Sequence, residues 1–114
     1  MKLEKNFFFR TDASNDIGFG HVIRCLTLAK GLIQAGAQVE FITRSHVGNL
    51  IKYIERKGFK VHTLHNAKTL TSKKNEDEYA SWLQVSQEKD AKDTIEILKN
   101  YQADWIIVDH YSID

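Results

Sequence analysis

The chain has 114 residues, 42% of them hydrophobic, and 16 basic against 15 acidic side chains give it a formal charge of +1. This length predicts one globular domain over residues 1–114, and the balanced charge excludes a strong field for attracting nucleic acid or an anionic membrane. Cys25 is the only cysteine and the N-terminus lacks a long apolar run, so we expect no intrachain disulfide, no signal peptide and a cytoplasmic location.

The first half of the chain alternates between strand and helix patterns. Three consecutive phenylalanines in residues 6–12 predict a short strand that is covered on both faces. Apolar residues at helical spacing predict a helix over residues 21–35, which Gly36 ends. Residues 39–43 predict a second strand, and Ser45 is a candidate N-cap for a second helix.

The second half continues the alternation. Residues 59–65 alternate weakly, which predicts a strand that lies at the edge of the sheet or has one partly exposed face. Residues 66–80 are polar and predict a loop, and a helix follows with apolar residues at positions 91, 95 and 98. Residues 105–108 predict the last strand. The sequence therefore predicts an α/β fold, a Rossmann-like parallel sheet with helices on both faces.

Two loops carry the polar residues of this predicted fold. Open parallel sheets bind ligands beyond the carboxyl ends of their strands, where the loops after the first and last strands lie. Gly18 and Gly20 in the first loop allow a close approach of the backbone to an anion or a sugar. The dinucleotide pattern G-x-G-x-x-G is incomplete, because Ile23 occupies its third glycine position and Glu40 falls inside the second strand.

His21 lies directly after this Gly-x-Gly loop, at the start of the predicted helix. The positive end of the helix dipole disfavours an imidazolium there, so we expect a neutral ring that can accept a proton. If Asp12 or Asp16 holds one ring nitrogen, the other nitrogen can activate a water molecule. The alternative is that His21 only caps the helix or fills a polar corner.

The neighbours of His21 leave further alternatives open. Arg24, one helical turn later, could meet a phosphate or a carboxylate, or it could be a surface residue paired with Asp16. Cys25 falls in the apolar stripe of the helix and is expected to be a small buried residue rather than a nucleophile.

At the end of the last strand stand Asp109 and His110, a position where carboxylates in α/β proteins often bind ligands. With His21 they could offer N and O ligands to a metal, but no close ligand spacing supports this, and we expect neither metal nor cofactor. The remaining histidines are scattered along the sequence and are expected to be surface residues: His46, His62 and His65.

Two segments, FFFRTDASNDIGFGHVIRCLTLAKGL and WIIVDHYSID, closely resemble the N-terminal domain of the UDP-sugar hydrolases of pseudaminic acid biosynthesis. The resemblance implies the N-terminal half of a GT-B-like two-domain fold, with a C-terminal nucleotide-binding domain as partner, so that these 114 residues are expected to be a fragment with little activity alone. It also implies an inverting, metal-independent hydrolysis of a UDP-linked diacetamido-trideoxy-hexose.

The same resemblance assigns roles to individual residues. His21 matches the catalytic base, and Tyr111 matches the tyrosine of the D-H-Y motif near the sugar. The residues expected to contact the substrate are Gly18, Phe19, Gly20, Arg24, Asp109 and Tyr111. Two other functions remain open, a GT-B-type glycosyltransferase that receives an acceptor hydroxyl in place of water, and a non-catalytic module that binds sugar nucleotides.

Overall fold

A computed structural model describes residues 5–15, 17–46, 48–65 and 86–110. These residues form four strands and three helices in strict alternation: β1 (Asn6–Thr11), α1 (Gly20–Gln34), β2 (Gln38–Arg44), α2 (Ile51–Arg56), β3 (Lys60–Leu64), α3 (Gln87–Leu98) and β4 (Trp105–Asp109). Within the described ranges, no helix is both long and apolar enough to cross a membrane. The predicted order of elements is confirmed.

The four strands form one parallel sheet in the order β3-β2-β1-β4. The chain runs outward from β1 to β3 and then returns to place β4 on the other side of β1. The strand order therefore reverses between β1 and β4, where open α/β sheets form a crevice. Thr11 is paired with Asp109 in this register, so the ends of the two strands lie side by side. The carboxyl ends of the first and last strands therefore meet at one edge of the sheet.

Helices cover both faces of the sheet, as the sequence predicts. Phe9 points to the face of α1 and α2 and belongs to the larger core cluster, while Phe8 points to the face of α3. Both rings are fully buried, because neighbouring residues of a strand face opposite sides of the sheet. The α/β class and the burial of the phenylalanine run are thus confirmed.

One local prediction, the N-cap of the second helix, needs correction. The second helix begins at Ile51, and its backbone N–H donates to Asn49 Oδ1 at 3.0 Å, so Ser45 is not the N-cap. Ser45 instead continues the strand pairing, since its backbone N–H donates to the Leu64 carbonyl at 2.8 Å. The predicted loop at 66–80 lies outside the described residues. Among the described strands, β3 lies at the edge of the sheet.

Helix α3 packs against the sheet with polar side chains. Its buried residues are Asp90 and Thr94, whereas Ile95 of the predicted apolar stripe is 53% exposed. The reason lies in the sheet, because Arg10 of β1 and Arg44 of β2 are fully buried on this face and need a carboxylate.

Candidate active site

A tight turn carries the chain from the end of β1 to the start of α1. The Gly18 N–H donates to the Ser14 carbonyl, and the Ile17 N–H donates to Ser14 Oγ, both at 2.9 Å. Gly18 has a φ of +82°, a conformation that favours glycine, whereas Gly20 is simply the first residue of α1. The backbone angles of Gly18 therefore favour glycine, whereas those of Gly20 suit any residue.

This turn places His21 against the last residue of β4. His21 Nδ1 lies 2.7 Å from Asp109 Oδ1, and the His21 side chain is only 9% exposed. Thr11 Oγ1 donates to the Asp109 carbonyl at 3.1 Å, which ties the end of β4 to the end of β1. A histidine and a carboxylate 88 residues apart in sequence thus form a hydrogen-bonded pair at the crevice of the sheet.

Arg24 holds the other side of the same carboxylate. Its Nε donates to Asp109 Oδ2 at 2.9 Å, and its Nη2 donates to Oδ1 at 2.7 Å. Arg24 is thus an exposed residue paired with a carboxylate of the chain, but the partner is Asp109; Asp16, the partner that the sequence predicts, is outside the described residues.

The ionisation of Asp109 determines which tautomer His21 adopts. Burial alone would raise the pKa of Asp109, but hydrogen bonds from Arg24 and His21 outweigh it and lower the pKa below the ordinary value. The carboxylate is therefore ionised at neutral pH and can only accept hydrogen bonds, so Nδ1 of a neutral His21 carries the proton. The lone pair of the neutral imidazole ring that can accept a proton is then on Nε2, the arrangement that a general base requires.

Asp12 does not orient His21, contrary to one of the two predictions. Both its oxygens accept hydrogen bonds from Arg10, at 2.6 Å and 3.1 Å, and the backbone N–H of Arg44 donates to Oδ1 at 2.8 Å. A buried arginine attracts the nearest carboxylate more strongly than a neutral imidazole does. Asp12 is therefore a buried partner of Arg10, and the carboxylate that contacts His21 is Asp109.

The interior beside Asp12 is a network of paired charges that sequence reasoning missed. Asp90 Oδ1 accepts from Arg44 Nη2 at 2.6 Å, and Asp90 Oδ2 accepts from Arg10 Nε at 3.0 Å. Arg10 thereby bridges Asp90 to Asp12, and these carboxylates raise its pKa although burial alone would lower it. Asp93, less buried, adds a contact to Arg44 at 3.2 Å. In the sequence, the one indication of this network is the presence of Arg10 and Arg44 in or directly after two predicted strands.

Two buried histidines complete this network. His46 Nε2 and His110 Nε2 lie 3.0 Å and 3.1 Å from Asp12 Oδ2, so His46 is not the surface residue that the sequence predicts. Burial alone would raise the pKa of Asp12, but these two contacts and the charge of Arg10 hold it well below the usual range. His62 is half-buried, and its Nε2 lies 2.7 Å from Glu40 Oε1, so the prediction of a surface residue is wrong for His62 as well. His65 is exposed, as the sequence predicts.

The ligand atoms of Asp12, His46 and His110 lie within 4.8 Å of one another, a spacing that a metal site would also need. The donor set fits a divalent cation poorly, because Arg10 already neutralises the one carboxylate and occupies both of its oxygens. The ligand set that the sequence offers, His21 with Asp109 and His110, is not assembled among the described residues. His110 Nε2 contacts Asp12 instead.

The remaining predicted site residues lie around the dyad or outside the described ranges. Cys25 is buried, as predicted, and burial together with the negative charge of Asp109 raises the pKa of its thiol to about 12, which disfavours a thiolate nucleophile. Phe19 precedes α1 and is 51% exposed beside His21. Tyr111 lies outside the described residues.

The arrangement defines an α/β domain with a histidine–carboxylate dyad at the crevice of its parallel sheet. In comparisons with known proteins, no family model matches the chain and no curated protein matches it significantly. The fold and the geometry of the site therefore support only the general base, and a substrate class rests on the sequence resemblance.

Proposed function

We propose that this domain supplies the general base of an inverting UDP-sugar hydrolase. The observation that supports the proposal is the dyad of His21 and Asp109, at 2.7 Å, at the point where the strand order of the sheet reverses. The substrate class follows from the resemblance of the two site segments to the UDP-sugar hydrolases of pseudaminic acid biosynthesis. The proposed substrate is accordingly a UDP-linked diacetamido-trideoxy-hexose.

The proposed reaction needs one proton acceptor. As the oxygen of a water molecule forms a bond to the anomeric carbon, the bond from that carbon to the diphosphate oxygen breaks and its electron pair leaves with UDP. The proton of the water passes to Nε2 of His21, and Asp109 stabilises the resulting imidazolium through Nδ1. Attack from the face opposite to UDP inverts the anomeric configuration.

Other residues of the corner bind the substrate in this proposal. The turn at Gly18 and the backbone of Gly20 give the sugar close access to the main chain, and Phe19 offers an exposed apolar ring. Arg24 contributes a positive charge for the diphosphate, and Tyr111 contacts the sugar. In the family that the sequence resembles, a C-terminal domain provides most of the UDP contacts, and we propose the same GT-B-like partner here.

The test is UDP release from a panel of UDP-amino-sugars by the full-length protein, with the anomeric configuration of the product followed by NMR. His21→Gln is expected to lower turnover about 100-fold with little change in substrate affinity. His62→Gln is the matched control, because His62 also bonds a carboxylate at 2.7 Å but lies away from the crevice. It is expected to leave turnover unchanged.

The outcomes separate the three functions. Free sugar and UDP formed without any acceptor support the hydrolase, whereas UDP release that requires an acceptor sugar indicates a glycosyltransferase. Tight binding of UDP-sugars with no turnover, unaffected by His21→Gln, would indicate a binding module and contradict the proposal.

A further inference from the structure

Arg24 and His21 share one carboxylate oxygen. Asp109 Oδ1 accepts both from His21 Nδ1 and from Arg24 Nη2, each at 2.7 Å, and the two nitrogens are only 3.2 Å apart. His21 Nδ1 carries a proton, so this short distance joins two donors that compete for the same acceptor. The guanidinium therefore opposes the build-up of positive charge on the imidazole.

Arg24 is also the accessible member of the trio. Its side chain is 66% exposed, against 9% for His21 and 20% for Asp109. Solvent screens an ion pair with an exposed partner and competes for its donors. The Arg24 guanidinium is therefore the member of the trio that an anion from solution reaches most readily.

We propose that Arg24 exchanges Asp109 for a phosphate oxygen of the bound substrate. Guanidinium groups match phosphate as well as they match carboxylate, with two parallel hydrogen bonds in each case. The identity of the anion rests on the proposed function, since the diphosphate of a sugar nucleotide is the anion which that reaction brings to the crevice.

The exchange changes which charged groups lie against His21. Before binding, Arg24 takes up part of the negative charge of Asp109 and repels an imidazolium at His21. After binding, the guanidinium has left the carboxylate, and Asp109 contacts His21 without this competing donor.

A double-mutant cycle with inorganic pyrophosphate tests the exchange in the chain of 114 residues, by NMR titration. Arg24→Gln is expected to weaken pyrophosphate binding about fivefold, and Asp109→Asn to tighten it about fivefold, because Arg24 no longer has to leave a carboxylate. In the double variant Arg24→Gln with Asp109→Asn, the gain is expected to disappear. Arg56→Gln, which removes another exposed cation at the end of α2, is the matched control and leaves the affinity unchanged.

Two outcomes of the double-mutant cycle would contradict the exchange. If Asp109→Asn tightens binding equally with and without Arg24, the gain comes from charge removal alone and the exchange is wrong. If neither single variant changes the affinity, Arg24 is only a structural partner of Asp109. Circular dichroism of each variant checks that it is folded. None of these readouts depends on turnover, so a failed hydrolase assay and a failed exchange are separate results.

Discussion

Replacing Asp12 by asparagine removes the charge at the centre of the buried network while keeping the shape of the side chain. The carboxylate accepts two hydrogen bonds from Arg10, one from the backbone N–H of Arg44, and lies within 3.1 Å of His46 and His110 nitrogens. A bond to a charged group is worth about 1 kcal/mol more than a neutral one, and breaking a buried ion pair costs about 3–5 kcal/mol.

We therefore expect Asp12→Asn to lower the free energy of unfolding by about 4 kcal/mol. Because the urea dependence for a small domain is about 1–3 kcal/mol per molar, the unfolding midpoint should fall by about 2 M. Circular dichroism during urea titration measures this shift. Glu96→Gln is the matched control, since the Glu96 side chain is 71% exposed and forms a surface ion pair with Lys99. It should change the free energy by less than about 0.5 kcal/mol.

A loss below about 1 kcal/mol for Asp12→Asn would refute this reasoning, because it would mean that the network does not depend on the charge of Asp12.

Three further predictions concern pH, the thiol and the glycine turn. The pKa values of Asp12 and Asp109 are lowered from 3.8, so the unfolded chain takes up protons first as pH falls, and the free energy of unfolding should drop below about pH 5 in urea titrations; a flat profile would contradict this. Cys25, with its pKa raised to about 12, should react with a disulfide reagent at pH 8 much more slowly in the folded than in the urea-unfolded chain, and equal rates would contradict its burial. Gly18→Ala should destabilise by about 1 kcal/mol because of its positive φ, whereas Gly20→Ala, with open space around it, should be neutral or stabilising; equal effects in thermal unfolding would contradict the assigned backbone angles.

The order of strands and helices could be predicted because local patterns carry it. Three phenylalanines in a row indicate a strand that is buried on both faces, and Gly36 with its φ of +95° ends the first helix as expected. The approach of the ends of β1 and β4 could also be predicted, since parallel sheets bring the ends of neighbouring strands to one edge. The pattern could not identify which carboxylate contacts His21: the sequence offers Asp12 and Asp16 as candidates, whereas the structure has Asp109.

The buried charges could not be predicted because their pairing is non-local. Arg10 and Asp90 are 80 residues apart, and a helix that faces the core with an aspartate looks like a surface helix in sequence. The sequence predicts His46 as a surface residue for the same reason, since nothing near it in the sequence indicates that it contacts Asp12. Hydrophobic periodicity locates the elements, whereas charge pairing is decided by which strand ends become neighbours.

The most direct measurement is the rate of UDP release by the full-length protein and by its His21→Gln and Asp109→Asn variants, on a UDP-linked diacetamido-trideoxy-hexose without acceptor. The dyad predicts a loss of about 100-fold for His21→Gln, a loss of at least about tenfold for Asp109→Asn, and an inverted product from the unchanged protein. Turnover that survives His21→Gln, or a product that retains its configuration, would contradict the role of His21 as the base.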